Sequence, residues 1–347
     1  MDFEQGNNRT ELSQTQSPGP TPSPAEKPAK KRRGWKIFWG ILFALSVMAN
    51  IVLFLTIIGI GAAFVVGQRG IFTEEVIQAG PRTAKITVIA LEGIIEGGKA
   101  QEMYRQLKSA REDKRVKGLV IRVNSPGGTI SGSDQIYNEI RKYRTKTGKP
   151  VVAFMQGVAA SGGYYASVAC DQIVAEPTAI TGSVGVMVGY FVLQQLLEEK
   201  LGILPVISKS GQKKDWPSAF EPPTEEQRQY IQDKLIHPAY ERFVQIVAEG
   251  RPSLTLADVR RLADGSIYGS QEALDEKLID KIGYLDDAIE QVKSLAGVKE
   301  AQVVEYRKPF SLSELLASRS KNLLKIDKST LYELCTPEVL YLWNANY

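Results

Sequence analysis

Ser161 stands between two alanines and two glycines, in Ala159-Ala160-Ser161-Gly162-Gly163, and that setting suits two kinds of chemistry. A serine at a strand-to-helix junction commonly caps the helix, its hydroxyl accepting from the first free backbone amides, and the local pattern by itself favours that reading. The same position suits a nucleophile, because small neighbours leave the oxygen accessible and a helix N-terminus stabilises developing negative charge. The Gly162 amide would then face the oxyanion. A second donor could come from Gly128 in Asn124-Ser125-Pro126-Gly127-Gly128, where glycine lets backbone approach a substrate closely; an ordinary tight turn is the plainer account of those glycines. A nucleophilic serine also needs a base. The chain has one histidine, His237, which follows a helical-looking run, precedes a proline and reads as a surface or packing residue. Lysine can serve where desolvation lowers its pKa enough to free the amine. Position alone does not say which lysine that would be.

These residues sit in a chain that alternates strand and helix patterns. Residues 86–91, 118–123 and 151–155 are strand-like apolar runs, with helical patterning at 101–109, 135–143 and 161–168; shorter strands are expected at 173–175 and 204–207. Strands joined by helical crossovers imply a mainly parallel sheet covered on both faces. Sites in such folds gather at the carboxyl ends of strands, where both glycine-rich turns fall. Residues 224–285 look helical, with a turn at Ala263-Asp264-Gly265, and read as solvated helices packed on the sheet. From Phe310 the chain turns apolar again and runs to Leu340-Tyr341-Leu342-Trp343. That tail reads either as packing against an assembly or as docking in the substrate groove of its own or a neighbouring subunit.

Four motifs in a fixed order now carry more than any one of them. Asn124-Ser125-Pro126-Gly127-Gly128, then Ala159-Ala160-Ser161-Gly162-Gly163-Tyr164-Tyr165, then Thr181-Gly182-Ser183-Val184-Gly185, then Ser210-Gly211-Gln212-Lys213-Lys214-Asp215 resemble the signal peptide peptidase A family of bacterial membrane serine peptidases, in its short single-domain form. The similarity extends to the segment from Asp264-Gly265 to Tyr268-Gly269 and to Gly283-Tyr284-Leu285-Asp286-Asp287. The resemblance implies an α/β fold of the crotonase/Clp-protease type, a mainly parallel sheet with flanking helices preceded by one transmembrane helix. It implies Ser161 as nucleophile, Lys214 as general base with Lys213 as the neighbouring alternative, Ser183 as the residue that orients the lysine, and Gly128 and Gly162 as oxyanion donors. It also implies a homo-oligomer in which serine and lysine can come from different protomers, substrates that are apolar peptides such as remnant signal peptides, and no metal or organic cofactor.

Composition fits a membrane-tethered enzyme. The 347 residues are 43% hydrophobic and carry a formal charge of +4, enough chain for one sizeable domain with appendages. The basic cluster Lys30, Lys31, Arg32 and Arg33 precedes a long apolar run with Trp35 and Trp39 at its start. No basic stripe interleaved with aromatics follows, so a membrane-flanking role is expected and nucleic acid is not. Two distant cysteines, Cys170 and Cys335, signal neither a disulfide framework nor a zinc site. The expected layout is a disordered tail over 1–34, a transmembrane signal anchor over 35–67, a linker over 68–84, the peptidase domain over 85–309 and a C-terminal tail over 310–347. Charge asymmetry puts the N-terminus in the cytoplasm and the catalytic domain outside the cell membrane, on a single pass. Two other readings compete: a crotonase-like acyl-CoA enzyme, which uses the same style of oxyanion hole on a thioester, and a non-catalytic membrane scaffold.

Overall fold

The computed structural model describes residues 33–68, 72–308 and 338–343, and the chain divides into two compact units, 1–64 and 65–347. The tail expected over 1–34 lies almost wholly outside the described residues. In the first unit, helix α1 (Arg33–Gln68) contains a 28-residue stretch, Gly34–Gly61, long and apolar enough to cross a membrane. At 1.5 Å per residue it reaches about 42 Å, against a hydrocarbon core of roughly 30 Å.

The second unit is an α/β domain. Its strands and helices run β1 (Thr73–Gln78), β2 (Lys85–Glu92), α2 (Gly97–Glu112), β3 (Val116–Ser125), β4 (Gly127–Thr129), α3 (Ile130–Thr147), β5 (Val151–Ala160), α4 (Gly162–Ser167), β6 (Gln172–Ala175), β7 (Ile180–Gly182) and β8 (Met187–Gly189). They continue through α5 (Glu225–Ile231), α6 (His237–Gly250), α7 (Leu256–Leu262), β9 (Ile267–Gly269), α8 (Ser270–Asp275), β10 (Lys281–Ile282), α9 (Leu285–Leu295), β11 (Gln302–Arg307) and β12 (Glu338–Leu342). The main sheet has the order β1-β11-β2-β3-β5-β6-β10. Every pairing along it is parallel except β1 with β11.

Strand alternation explains why both faces are covered. Val88, Val120, Val152 and Phe154 point to one side, where Ala288, Ile289 and Val292 of α9 bury them. Ile89, Leu91, Leu119, Ile121, Ala153 and Met155 point to the other, under α2, α3, α4 and α6. Helix α3 is stopped and started locally: the Thr129 hydroxyl accepts from the Gly132 amide at 3.1 Å, and Gly148 takes φ 65° at its C-terminus.

Strand β5 changes partner along its length. Val152–Met155 pair with β6, whereas Val158–Ala160 pair with β7, which itself pairs antiparallel with β9. Gly157 sits between the two registers with φ 63°. The glycine supplies a left-handed residue that most side chains avoid, and the strand bends there.

The strand expected at 204–207 needs correction, and two outlying stretches carry strands of their own. Residues 204–207 form no strand; Leu204 and Val206 are 73% and 82% exposed, and β-branched character alone does not make a strand without a neighbouring edge. The stretch read as a linker contains β1, bound along the sheet edge to β11. The stretch read as a tail contains β12, which joins a second sheet in the order β4-β12-β8.

Candidate active site

Ser161 follows β5 and does not cap α4. Its side chain makes no capping hydrogen bond, and its backbone lies at φ 53°, ψ −115°. Such a conformation costs a non-glycine residue about 1–3 kcal/mol and is held here by its surroundings. The Ser161 amide donates to the Gly182 carbonyl at 2.8 Å and its own carbonyl accepts from the Tyr165 amide at 2.8 Å. A serine on a sharp strand-to-helix turn presents its hydroxyl above the sheet instead of turning it back onto the helix. The neighbouring glycines allow α4 to press on the β3–β4 turn: a Cβ at Gly163 would lie 2.7 Å from the Ser125 carbonyl oxygen, and one at Gly162 would lie 3.1 Å from Gly127 Cα.

That turn is built by Ser125. Its hydroxyl donates to the Gly93 carbonyl at 2.6 Å and accepts from the Gly127 amide at 3.1 Å. Gly127 has φ 102°, and its carbonyl accepts from the Ile95 amide at 2.8 Å. Gly128 is backed so closely by residue 95 that a Cβ would meet the Ile95 amide nitrogen at 2.6 Å. Gly128 and Gly162 therefore lie on facing sides of one groove.

Strand β12 lies in the groove. It pairs antiparallel with β4 on one edge, Tyr341 opposite Gly128, and antiparallel with β8 on the other, Leu340 opposite Met187. The Trp343 amide donates to the Pro126 carbonyl at 2.8 Å; ladder alternation then sets the Gly128 N–H toward the Tyr341 carbonyl. The same carbonyl oxygen lies 3.1 Å from where a Gly162 Cβ would stand. The Tyr341 side chain is fully buried, its ring 5.0 Å from that of Tyr165 and 4.7 Å from that of Phe243, and its hydroxyl donates to the Ala239 carbonyl at 2.7 Å. Burial pushes the Tyr341 phenol well above its ordinary pKa, so it stays a donor. The Tyr165 hydroxyl in turn donates to Asp134 at 2.7 Å. Beyond Tyr341, Leu342 enters a cavity of about 470 Å³ shared with Ser161, Ser183, His237 and Asp264.

Ser183 is the second strained serine, at φ 49°. Its amide donates to the Ser266 carbonyl at 2.7 Å, which ties it to the turn after α7. Of the residues expected to act together, Ser161, Ser183, Gly128 and Gly162 converge. Lys214 does not join them within one chain: its side chain is exposed, and no lysine lines the cavity among the described residues. Lys213 is engaged elsewhere, 3.8 Å from Glu226 and about 5 Å over the rings of Trp216 and Tyr230.

Comparison with known proteins adds a second line of observation. The family model "Peptidase family S49" matches residues 143–299, and that of Clp protease matches residues 73–179. A chain of Enterococcus faecium, provisionally named signal peptide peptidase SppA, is 39% identical over 246 residues, 68% of this chain and 70% of that one. A chain of Synechocystis, provisionally named a protease, is 36% identical over 230 residues, 65% of this chain and 81% of that one. The chain belongs to peptidase family S49. Among solved structures, a ClpP1 mutant from Listeria monocytogenes aligns with a TM-score of 0.40 at 17% identity, covering 58% of this chain and 94% of that one.

As an S49 member the protein is a serine peptidase, and the acyl-CoA reading falls away. Two cavity residues of this peptidase escaped the sequence reading. His237 reads from sequence as a surface or packing residue, yet it lines the cavity beside Ser161; only its place at the first turn of a helix hinted that it faces an end of the fold. Asp264 was visible as part of the family motif, with no role attached to it.

Proposed function

We propose that the protein is a membrane-anchored endopeptidase that hydrolyses apolar peptides, with Ser161 as nucleophile and Lys214 as general base. The observation that carries this reading is β12, an extended strand in the groove whose Tyr341 carbonyl faces Gly128 and Gly162 beside Ser161. A substrate strand held the same way presents its scissile carbonyl carbon to the Ser161 oxygen. The residue before the bond enters the slot of Tyr165 and Phe243, and the residue after it enters the Ser183 cavity.

The Ser161 oxygen attacks the carbonyl carbon while its proton passes to the neutral Lys214 amine. The resulting oxyanion accepts hydrogen bonds from the Gly128 and Gly162 amides. Collapse breaks the carbon–nitrogen bond, and the lysine ammonium returns its proton to the leaving amine. Water, deprotonated by the same lysine, then cleaves the acyl-serine ester and restores the hydroxyl. Ser183 holds the amine in line. Because no lysine of the same chain lines the cavity among the described residues, Lys214 acts across an interface, in a homo-oligomer.

Anchoring by α1 suits this chemistry, since apolar peptides partition at or into a bilayer and a tethered site meets them at high local concentration. The SppA name of the Enterococcus relative supports remnant signal peptides as the substrate class. The basic cluster before α1 supports a cytoplasmic N-terminus and an extracytoplasmic peptidase domain at the cell membrane. The test uses the assembled full-length protein and a fluorogenic apolar peptide. Ser161→Ala abolishes turnover while leaving oligomer size and thermal unfolding unchanged; turnover at the parent rate would overturn the assignment.

A further inference from the structure

The cavity beside Ser161 has a charge pattern that peptide-strand binding does not use. Asp264 and His237 are its acid–base groups, with Tyr240 the other titratable residue on its wall, and no Lys or Arg lines it among the described residues. Leu342, the one tail residue that lines the cavity among the described residues, is apolar and asks nothing of a carboxylate. A fixed anion beside an empty volume is a setting for a cation, and the proposed reaction brings one: the ammonium that forms when the base takes the serine proton.

Asp264 is placed for that contact by the turn that carries Ser183. The Ser266 amide donates to the Asp264 carboxylate at 2.9 Å, and the Ser266 carbonyl accepts from the Ser183 amide at 2.7 Å. Gly182 pairs with Ile267, and Tyr268 packs so tightly beneath it that a Cβ on Gly182 would lie 2.5 Å from the tyrosine ring. The strained Ser183 and the carboxylate are thus fixed to one three-residue turn and open onto one cavity. The hydrogen bond from Ser266 also holds the Asp264 carboxyl below its ordinary pKa, so it is charged throughout the neutral range.

We propose that Asp264 is a positioning residue for the general base, its carboxylate receiving the ammonium of that base in the cavity beside Ser161 and Ser183. The inference rests on the reading that Lys214 of a neighbouring copy is the base. A carboxylate facing an amine favours the charged form and so offsets part of the desolvation that frees the amine. Asp264 therefore sets the pH at which the enzyme switches on. The charged groups near Lys214 on its own segment are already committed, Lys209 to Asp215 at 2.8 Å and Lys213 to Glu226 at 3.8 Å. From the cavity side the groups that face the incoming amine are Asp264, His237 and Tyr240.

The test is the acid limb of kcat/KM against pH, measured on the assembled full-length protein with a fluorogenic apolar peptide. Asp264→Asn keeps an oxygen to accept from the Ser266 amide and removes the charge alone. The limb is expected to move about one unit to lower pH, making the variant about tenfold faster than the parent at a pH well down that limb. The gap narrows in salt of about 0.5 M, because the carboxylate is exposed and screened. Asp264→Glu is expected to hold the limb near the parent position. An unmoved limb, or an equal loss of rate at every pH, overturns the proposal. His237→Gln is the control for the other titrating group: a limb that vanishes with it belongs to the histidine and overturns the proposal too. Lys214→Ala separates this inference from the one beneath it. Turnover surviving in that variant removes the base assignment itself, whereas a dead Lys214→Ala with an unmoved Asp264→Asn limb removes only the role of Asp264.

Discussion

Replacing Tyr341 with phenylalanine, and separately with alanine, measures how strongly the chain's own strand competes for the groove. Phenylalanine fills the slot between Tyr165 and Phe243 and loses only the hydroxyl's 2.7 Å bond to the Ala239 carbonyl. A neutral hydrogen bond of this kind is worth about 0.5–1.5 kcal/mol, so docking of β12 weakens about 2- to 12-fold. Alanine vacates a fully buried aromatic site, at about 3–5 kcal/mol, and should empty the groove. A docked strand acts as a tethered competitive inhibitor. It multiplies the apparent KM by one plus its docking constant and leaves kcat alone. Steady-state hydrolysis of a fluorogenic apolar peptide should therefore show the apparent KM falling from parent to Tyr341→Phe to Tyr341→Ala. The alanine variant should match a chain ending at residue 337, and kcat should be common to all four. An apparent KM that does not change across the series would refute the view that β12 occupies the substrate path.

Two further outcomes follow from the packing. Gly128→Ala places a methyl 2.6 Å from the Ile95 amide nitrogen and displaces a candidate oxyanion donor; losing one such donor costs about 100- to 1,000-fold in kcat, readable with circular dichroism as the check on folding. Asp113→Asn removes one of the two carboxylates that hold the almost wholly buried Lys85, at 2.9 Å, the other being Glu74 at 2.7 Å, and should cost about 1–3 kcal/mol in urea unfolding at neutral pH. Hydrogen bonds from Arg115 and Lys85 depress the Asp113 carboxyl well below the ordinary range. Its contribution is therefore present above the unfolded pKa of about 4 and lost as pH falls toward the folded value, so parent and variant should converge in stability in acid.

The parts of the fold that show in the sequence are those whose side chains obey one period for long enough. Strands β2, β3 and β5 are buried on both faces and read as apolar runs, of Val, Ile and Leu in the first two and Val-Val-Ala-Phe-Met in β5, and the helices between them follow from composition. Strands β4, β7 and β8 have three residues each, too few for any period, and exist because a longer neighbour offers an edge. Strand β12 carries Val-Leu-Tyr-Leu, a run that reads equally well as packing, and only pairing with β4 and β8 distinguishes the two. Residues 204–207 show the reverse, a strand-like run with no edge to join.

The site was legible to a similar depth. Motif order pointed to Ser161 and Ser183, which line one cavity, and to Gly128 and Gly162, which answer to close approaches that a side chain would break. Local capping logic pointed the wrong way at Ser161, since a cap needs extended backbone and this residue is held at positive φ by Gly182 and Tyr165. Lys214 could be named from its motif, but in the single chain its side chain is exposed and does not line the cavity that holds Ser161.

The change of partner along β5 has a consequence for how this enzyme can vary. Below Gly157 the strand is locked into a broad parallel array with deep cores on both sides; above it, Val158–Ala160 lean on a narrow ribbon made of β7 and β9, and only Ala159 stays paired to the main array, through Ser125 of β3. Ser161, the proposed nucleophile, follows directly on that upper part. Substitutions in the ribbon can therefore re-aim Ser161 and Ser183 together while the main array stays shut, and amide exchange should divide β5 into a slow half and a faster half. Evolution, or a designer, has in that ribbon a handle on the chemistry that is separate from the handle on stability.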